Sequence, residues 1–364
     1  MRFVHSANKT IAASIEAMKE LVIARGGYVH PAAGIEERDG VLRAVCHAPE
    51  ARGQLLFKVP DELLVPTDDL DWTQDQTSMQ LAQYPADFSA DRSAMLDLFI
   101  AIYNAAGKLA WLQHQAPRVL LRDSELAARL ALVYPGYRPN APSPAAAFIQ
   151  TRNYSSKHAQ AGVADKNCIM PLIDFVNHHA EGSQYRHGSG FLMVDATYAQ
   201  DTEESLCNYG KYRDPLSLAL RHGYLDRHCP FAQSVPVVID LAGFGRFEIL
   251  GRRVASKHPA DLPKIEFSEA GLALSHLSGD VRSPHYLHTT LRLALMASGK
   301  RREIAEAATA RALADLPAAI LAANQEKLTA FRAYLATRPE LPLASLLSDA
   351  CLRKCTNLER ILAG

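Results

Sequence analysis

The chain has 364 residues, with 39 Lys and Arg against 39 Asp and Glu, and 48% of it is hydrophobic. Those figures suit one large domain with an appendage, or two domains, each with a real core, and exclude wholesale disorder, collagen and coiled coil. Zero net charge with no run of one sign offers no phosphate-tracking surface, so nucleic acid is not expected as a partner. The longest charge-free stretch, Pro139 to Thr151, has thirteen residues. That is short of the ~18 that span a bilayer, so no membrane association is expected. Lys9, Glu16, Lys19 and Glu20 interrupt any apolar signal-peptide centre, which makes a cytoplasmic location the expectation. The six cysteines, Cys46, Cys168, Cys207, Cys229, Cys351 and Cys355, are scattered as reduced thiols are. Cys351 and Cys355 share an i, i+4 spacing but lack the further ligands of a zinc site, so no metal is expected.

In chain order, Ile11, Ile15, Met18 and Leu21-Val22 recur at helical spacing until Gly26-Gly27 ends the run. Val41 to Val45 and Leu55 to Val59, bounded by Gly40, Gly53 and Pro60, read as two short strands paired with each other. An acidic, proline-broken loop from Thr67 to Asp91 leads into a helix between about Ser93 and Gln113, carried by Leu96, Phe99, Ile100, Tyr103 and Leu109. A turn-rich connection through Tyr134-Pro135-Gly136 and Pro139 to Pro144 precedes a helical Ala145 to Thr151 and a polar loop running to Lys166. Strands resume at Phe191 to Val194, Ser205 to Asn208 and Val235 to Leu241. Ala242-Gly243-Phe244-Gly245 turns the last of these back into Phe247 to Leu250 as a hairpin. Ser283-Pro284 then starts a helix that runs to Gly299. Arg301 to Ala314 reads as the next helix, broken at Asp315-Leu316-Pro317, and Leu321, Leu328, Phe331 and Leu335 line the helix that restarts there. The fold class is therefore α+β, with a β-rich body, a helical insert and an all-helical carboxy-terminal domain. Domain limits fall at 1–66, 67–144, 145–275 and 276–364.

Two constellations have plain structural explanations. Gly243-Phe244-Gly245 lacks the third glycine of a dinucleotide loop, since Glu248 stands there and no helix comes after it. His178-His179 with His187 and Cys207 makes a poor metal cluster, because neighbours on an extended backbone point opposite ways. The more informative segment is Pro171-Leu172-Ile173-Asp174-Phe175-Val176-Asn177-His178, followed by Glu203-Glu204 and then Tyr209 in Cys207-Asn208-Tyr209-Gly210, with His222-Gly223-Tyr224 beyond.

That order resembles SET-domain methyltransferases, specifically the Rubisco large-subunit lysine methyltransferase group. Gly26-Gly27 and Gly40 resemble the amino-terminal half of that domain, Val59-Pro60-Asp61-Glu62-Leu63-Leu64 its closing strand, and Thr151-Arg152-Asn153-Tyr154 its S-R-x-F/Y segment. The resemblance covers most of the chain. It implies a SET body split by a helical insert and followed by an all-helical substrate-binding domain.

By resemblance the chain is an S-adenosyl-L-methionine-dependent transferase that methylates a lysine nitrogen of a protein, the substrate being gripped by the carboxy-terminal helices. Gly40 and Leu42 would offer backbone groups to the cofactor's amino-acid end and Arg152 would hold its carboxylate. Asn177 and His178 would bind the cofactor, with Asp174 shaping the knot-like crossing and the substrate side. Tyr209 would stand at the reacting sulfonium as the catalytic group, and His222 and Tyr224 would line the substrate channel. Three departures are visible. The first-loop Gly-x-Gly keeps only Gly40, with Arg38 and Asp39 before it. Asp214-Pro215-Leu216-Ser217 replaces an S-N-x-E stretch. His222 stands where an aromatic residue precedes the glycine. Methylation of a histidine or small-molecule amine, or a non-catalytic SET-fold scaffold that binds a partner protein, are the alternatives those departures leave open.

Overall fold

A computed structural model of the chain describes residues 2–68, 70–75, 78–108, 114–137, 143–156, 166–197, 204–210, 212–252, 262–269 and 271–363. Leu109 and the end of the helix expected to reach Gln113 lie outside the described residues. So do residues 139–142, most of the loop expected up to Lys166, and Glu203. The fold is α+β. Helices α1 (Lys9–Ala24), α2 (Ala90–Ala105), α3 (Ala116–Arg122), α4 (Ser124–Val133), α5 (Pro144–Arg152), α6 (Pro215–His222), α7 (His285–Arg301), α8 (Glu306–Ala336) and α9 (Ala344–Ala363) are joined by short strands. The chain divides into two compact bodies, Met1–Arg118 with Asn140–Tyr209, and Val119–Pro139 with Gly210–Gly364.

In the first body the Asn8 side chain caps α1 by accepting from the Thr10 and Ile11 N–H groups, and Ile11, Ile15, Met18 and Val22 turn inward as their spacing predicts. The strands are β1 (Val4–His5), β2 (Tyr28–Val29), β3 (Ala33–Arg38), β4 (Val41–Cys46), β5 (Leu55–Pro60), β6 (Val65–Pro66), β7 (Trp72–Gln74), β8 (Met79–Leu81), β9 (Tyr154–Ser156), β10 (Lys166–Ile169), β11 (Asn177–Ser183), β12 (Arg186–Gly188), β13 (Phe191–Asp195) and β14 (Leu206–Cys207). They form small sheets ordered β1-β3-β4, β12-β13-β5-β2, β6-β10-β9, β11-β14 and β7-β8.

The expected pairing of β4 with β5 is corrected: β4 pairs with β3, and β5 sits between β13 and β2 in another sheet. The partner of β4 is local. Asp39 and Gly40, at φ +52° and +71°, make the two-residue turn that folds β4 back on β3. Helix α2, capped by Ser89, packs Met95, Leu96, Phe99, Ile102 and Tyr103 into the core with Phe148 and Phe175.

In the second body β16 (Val237–Leu241) and β17 (Gly245–Ile249) form the expected hairpin around Gly243, which has φ +73°. The remaining strands are β15 (Phe231–Gln233), β18 (Ile265–Phe267), β19 (Gly271–Leu274) and β20 (Ser278–Asp280). Helix α7 starts just after Ser283-Pro284, as the sequence predicts, and runs to Arg301. The expected break at Pro317 is corrected: α8 is one helix with Pro317 inside it. Ala312, Leu316, Ile320, Asn324, Leu328, Phe331 and Leu335 form one buried stripe through the proline, so packing along the whole face outweighs the missing backbone donor.

Two buried asparagines tie the helices to the strands. Asn324 accepts from the Val235 N–H at 2.8 Å, and Asn357 donates to the carbonyls of Cys229 and Phe231 at 2.8 and 3.0 Å. Lys354 Nζ lies 2.8 Å from Asp214 Oδ2, both side chains almost fully buried, while Asp214 Oδ1 caps α6 through the Ser217 N–H. Among the described residues no helix is long and apolar enough to cross a membrane.

Candidate functional site

The site grows from the segment Pro171–His178. Leu172, fully buried, has φ +60° and ψ −43°, and the Ile173 N–H donates to the Pro171 carbonyl at 2.7 Å. That is a γ-turn with positive φ at a leucine, a conformation worth on the order of 1–3 kcal/mol of strain. The turn throws the chain into a short 3-10 turn, Ile173–Phe175, which buries Asp174, and then into β11.

Strand β14 runs parallel to the start of β11, with Asn177 opposite Leu206 and His178 opposite Cys207. β11 then bulges, and Ser183 meets Cys207 again. Gly182 makes this close return possible. A Cβ there would lie 2.6 to 2.8 Å from the backbone atoms of Cys207.

Tyr209 comes directly after β14 and is held at both ends. Its N–H donates to His178 Nδ1 at 2.9 Å, and its hydroxyl donates to the Val176 carbonyl at 3.0 Å. An accepting Nδ1 fixes the His178 tautomer with the proton on Nε2. The Cys207 thiol also reaches the Val176 carbonyl, at 3.3 Å, and lies 3.1 Å from the Tyr185 hydroxyl. The Tyr185 ring stacks on Tyr209 with centroids 6.4 Å apart. Burial, reinforced by the Asp174 carboxylate, holds the Tyr209 phenol well above the ordinary tyrosine value. Burial likewise pushes the Cys207 thiol up to about 12. Both groups are thus protonated donors at neutral pH.

Asn177 donates through Nδ2 to Glu204 Oε1 at 2.7 Å and to the Leu42 carbonyl at 3.3 Å, which ties β11 to β4 and to the chain entering β14. On the other side of the segment, Arg152 ends α5 with Nη1 3.3 Å from the Asp174 carbonyl and 3.6 Å from its Oδ2. The guanidinium carbon lies 4.9 Å over the Tyr103 ring and 5.2 Å over Phe148. The Tyr103 hydroxyl donates to Asp174 Oδ2. Burial raises the Asp174 carboxyl above its ordinary value, while Arg152 and Tyr103 pull it back. Burial opposes the Arg152 charge, yet Tyr103 and Asp174 more than offset it and leave the guanidinium above its ordinary value.

Of the residues singled out in the sequence, Arg152, Asp174, Asn177, His178, Tyr209 and Leu42 share this network in the first body. Gly40 lies at the β3–β4 turn, where its N–H donates to Glu37 Oε1 at 2.7 Å and a Cβ would press against the Ala106 carbonyl. His222 and Tyr224 belong to the second body, their rings 6.2 Å apart across Gly223, and Arg213 Nη1 is 3.4 Å from His222 Nε2. Tyr224 packs there with Leu218, Cys229 and Phe231.

Three participants carried no assigned role in the sequence. Tyr103 looked like one more apolar position on a helix, Tyr185 stood in no motif, and Glu204 was one half of an acidic pair with no assigned role. Among the described residues no three His, Cys, Asp or Glu side chains converge as metal ligands.

No protein-family model matches the sequence, and no curated protein matches it. Among solved structures, the SET domain of LSMT bound to lysine and AdoHcy is similar at 11% identity and a TM-score of 0.42, over 97% of this chain and 90% of that one. The same domain bound to methyl-lysine and AdoHcy is similar at 12% identity and a TM-score of 0.42, over 96% and 90% of the two chains.

Proposed function

We propose that this chain is an S-adenosylmethionine-dependent N-methyltransferase that places a methyl group on a lysine side chain of a protein substrate, which the carboxy-terminal helices α7 to α9 hold. The observation that carries the reading is the doubly anchored Tyr209, fixed by His178 and Val176 beside the Arg152–Asp174 pair. The residues suit the donor at its amino-acid end. Its carboxylate calls for a cation, and the Arg152 side chain is a quarter exposed, with neither Nη2 nor Nε engaged among the described residues. By the same resemblance, Asn177, His178, Gly40 and Leu42 would contribute main-chain groups to the donor. When bound, the donor supplies an electrophilic methyl on a sulfonium centre.

The protein's part is alignment and electrostatics. Because the Tyr209 hydroxyl directs its proton to the Val176 carbonyl, its oxygen would meet polarised C–H groups as an acceptor and not as a donor. Rigid placement of that oxygen supplies rate through orientation rather than through proton transfer. A lysine amine must lose its proton first, and bringing it from about 10.4 to pH 7.4 costs on the order of 4 kcal/mol. Burial lowers an amine's pKa, and Tyr209 and Tyr185 stay neutral, so neither adds a negative charge that would raise it again.

Calorimetry with S-adenosylmethionine tests the donor, and transfer of a labelled methyl group into lysate protein followed by mass spectrometry tests the acceptor. Absence of donor binding overturns the reading as a whole. Label on histidine or on small molecules overturns the lysine assignment alone.

A further inference from the structure

We infer that Tyr103, on helix α2, is a positioning residue for the donor's carboxylate: its ring carries the Arg152 guanidinium and its hydroxyl holds the Asp174 carboxyl that faces the same guanidinium. The inference rests on the methyl-donor reading above and extends it to a residue no motif marks. Tyr103 is 1% exposed, so it acts through its neighbours and not on a ligand directly. Its ring is fixed by Phe99 and Phe148, both with centroids 4.7 Å away, and by Phe175 at 6.4 Å.

A phenylalanine would fill that aromatic box equally well, and a buried phenol needs a partner for its hydroxyl. Here the partner is the one carboxyl that also pairs with Arg152. An arginine on a long flexible stem samples many rotamers, and this arrangement removes that freedom on one flank. The Tyr103 and Phe148 faces support the guanidinium from below, and Asp174 engages Nη1. The donor groups on the remaining side are thereby presented in one orientation. Loss of the hydroxyl leaves the Asp174 carboxylate short of a hydrogen bond and free to turn away from Nη1, so the guanidinium loses the charge that faces it on that flank.

Two probes separate this role from general packing: S-adenosylhomocysteine, and 5′-methylthioadenosine, which shares the nucleoside and thioether but has no amino-acid end. Calorimetry on the full chain should show Tyr103→Phe weakening S-adenosylhomocysteine about ten-fold, as for one hydrogen bond to a charged group, with 5′-methylthioadenosine unchanged. Adding Tyr103→Phe to Arg152→Met should cause no further loss. Equal loss for both ligands, or no loss for either, overturns the inference. If Tyr103→Phe does not fold, as judged by thermal melting, Asp174→Ala removes the acceptor of the same hydrogen bond. It should give the same ligand-selective loss, and an unselective or absent loss overturns the inference. Failure of the unaltered protein to bind either probe removes the donor reading itself, and is seen before any variant is made.

Discussion

Tyr209 makes the sharpest statement at the scale of single residues. Tyr209→Phe keeps the backbone bond to His178 and the stack on Tyr185 but loses the oxygen, so donor affinity should hold while turnover falls at least about ten-fold. Steady-state kinetics beside calorimetry checks this, and unchanged turnover would remove Tyr209 from the chemistry. The phenol sits well above ~10, so it stays protonated throughout the range in which methyl transfer would be assayed. Activity should therefore climb with pH as the acceptor amine deprotonates, with no descending limb below about pH 10; a rate–pH profile reads it directly. Tyr209, Asn177 and His178 were legible because their order along the chain is itself a pattern. Tyr103 was not, because a phenol at helical spacing reads as core until its hydroxyl partner is known, and that partner lies 71 residues away.

Among the elements, the β11–β14 crossing depends on the absence of one side chain. Gly182→Ala would place a methyl group within 2.6 to 2.8 Å of the Cys207 backbone, where neither strand can yield without displacing Tyr209. Such overpacking destabilises by about 1–3 kcal/mol, and thermal melting together with donor titration should show both stability and affinity reduced. A normal melting curve would mean the crossing is looser than described. In the second body Lys354→Met leaves Asp214 buried without its cation, and should cost about 3–5 kcal/mol by denaturant titration. Pairing that change with Asp214→Asn should recover much of the loss, since the amide can still cap α6. Elements with local causes were legible: α1 from its spacing, the Gly243 hairpin from its turn, α7 from Ser283-Pro284. Strand partners were not, since β5 chooses β13 more than a hundred residues on, and the continuity of α8 is decided by what its face packs against.

For the molecule as a whole, buried thiols set the alkaline limit. Cys207 and Cys351 are both pushed up to about 12 by burial. Their folded values exceed the unfolded thiol value, so their contribution is complete below about pH 8.5 and declines as pH rises toward 12. Melting temperature should accordingly be flat up to about pH 8.5 and then fall, with both thiols resisting alkylation until it does. A rapid reaction with iodoacetamide at pH 8 in the folded state would contradict this.

The residues that meet around Asn177 come from positions 42, 152, 174, 204 and 209, one of the joining hydrogen bonds spanning 135 residues of chain. No contiguous peptide holds them. Entropy charges most for closing such distant loops, so this cluster should be among the last features to assemble during refolding. A nascent chain would therefore lack this hydrogen-bonded cluster until residue 209 has joined the rest.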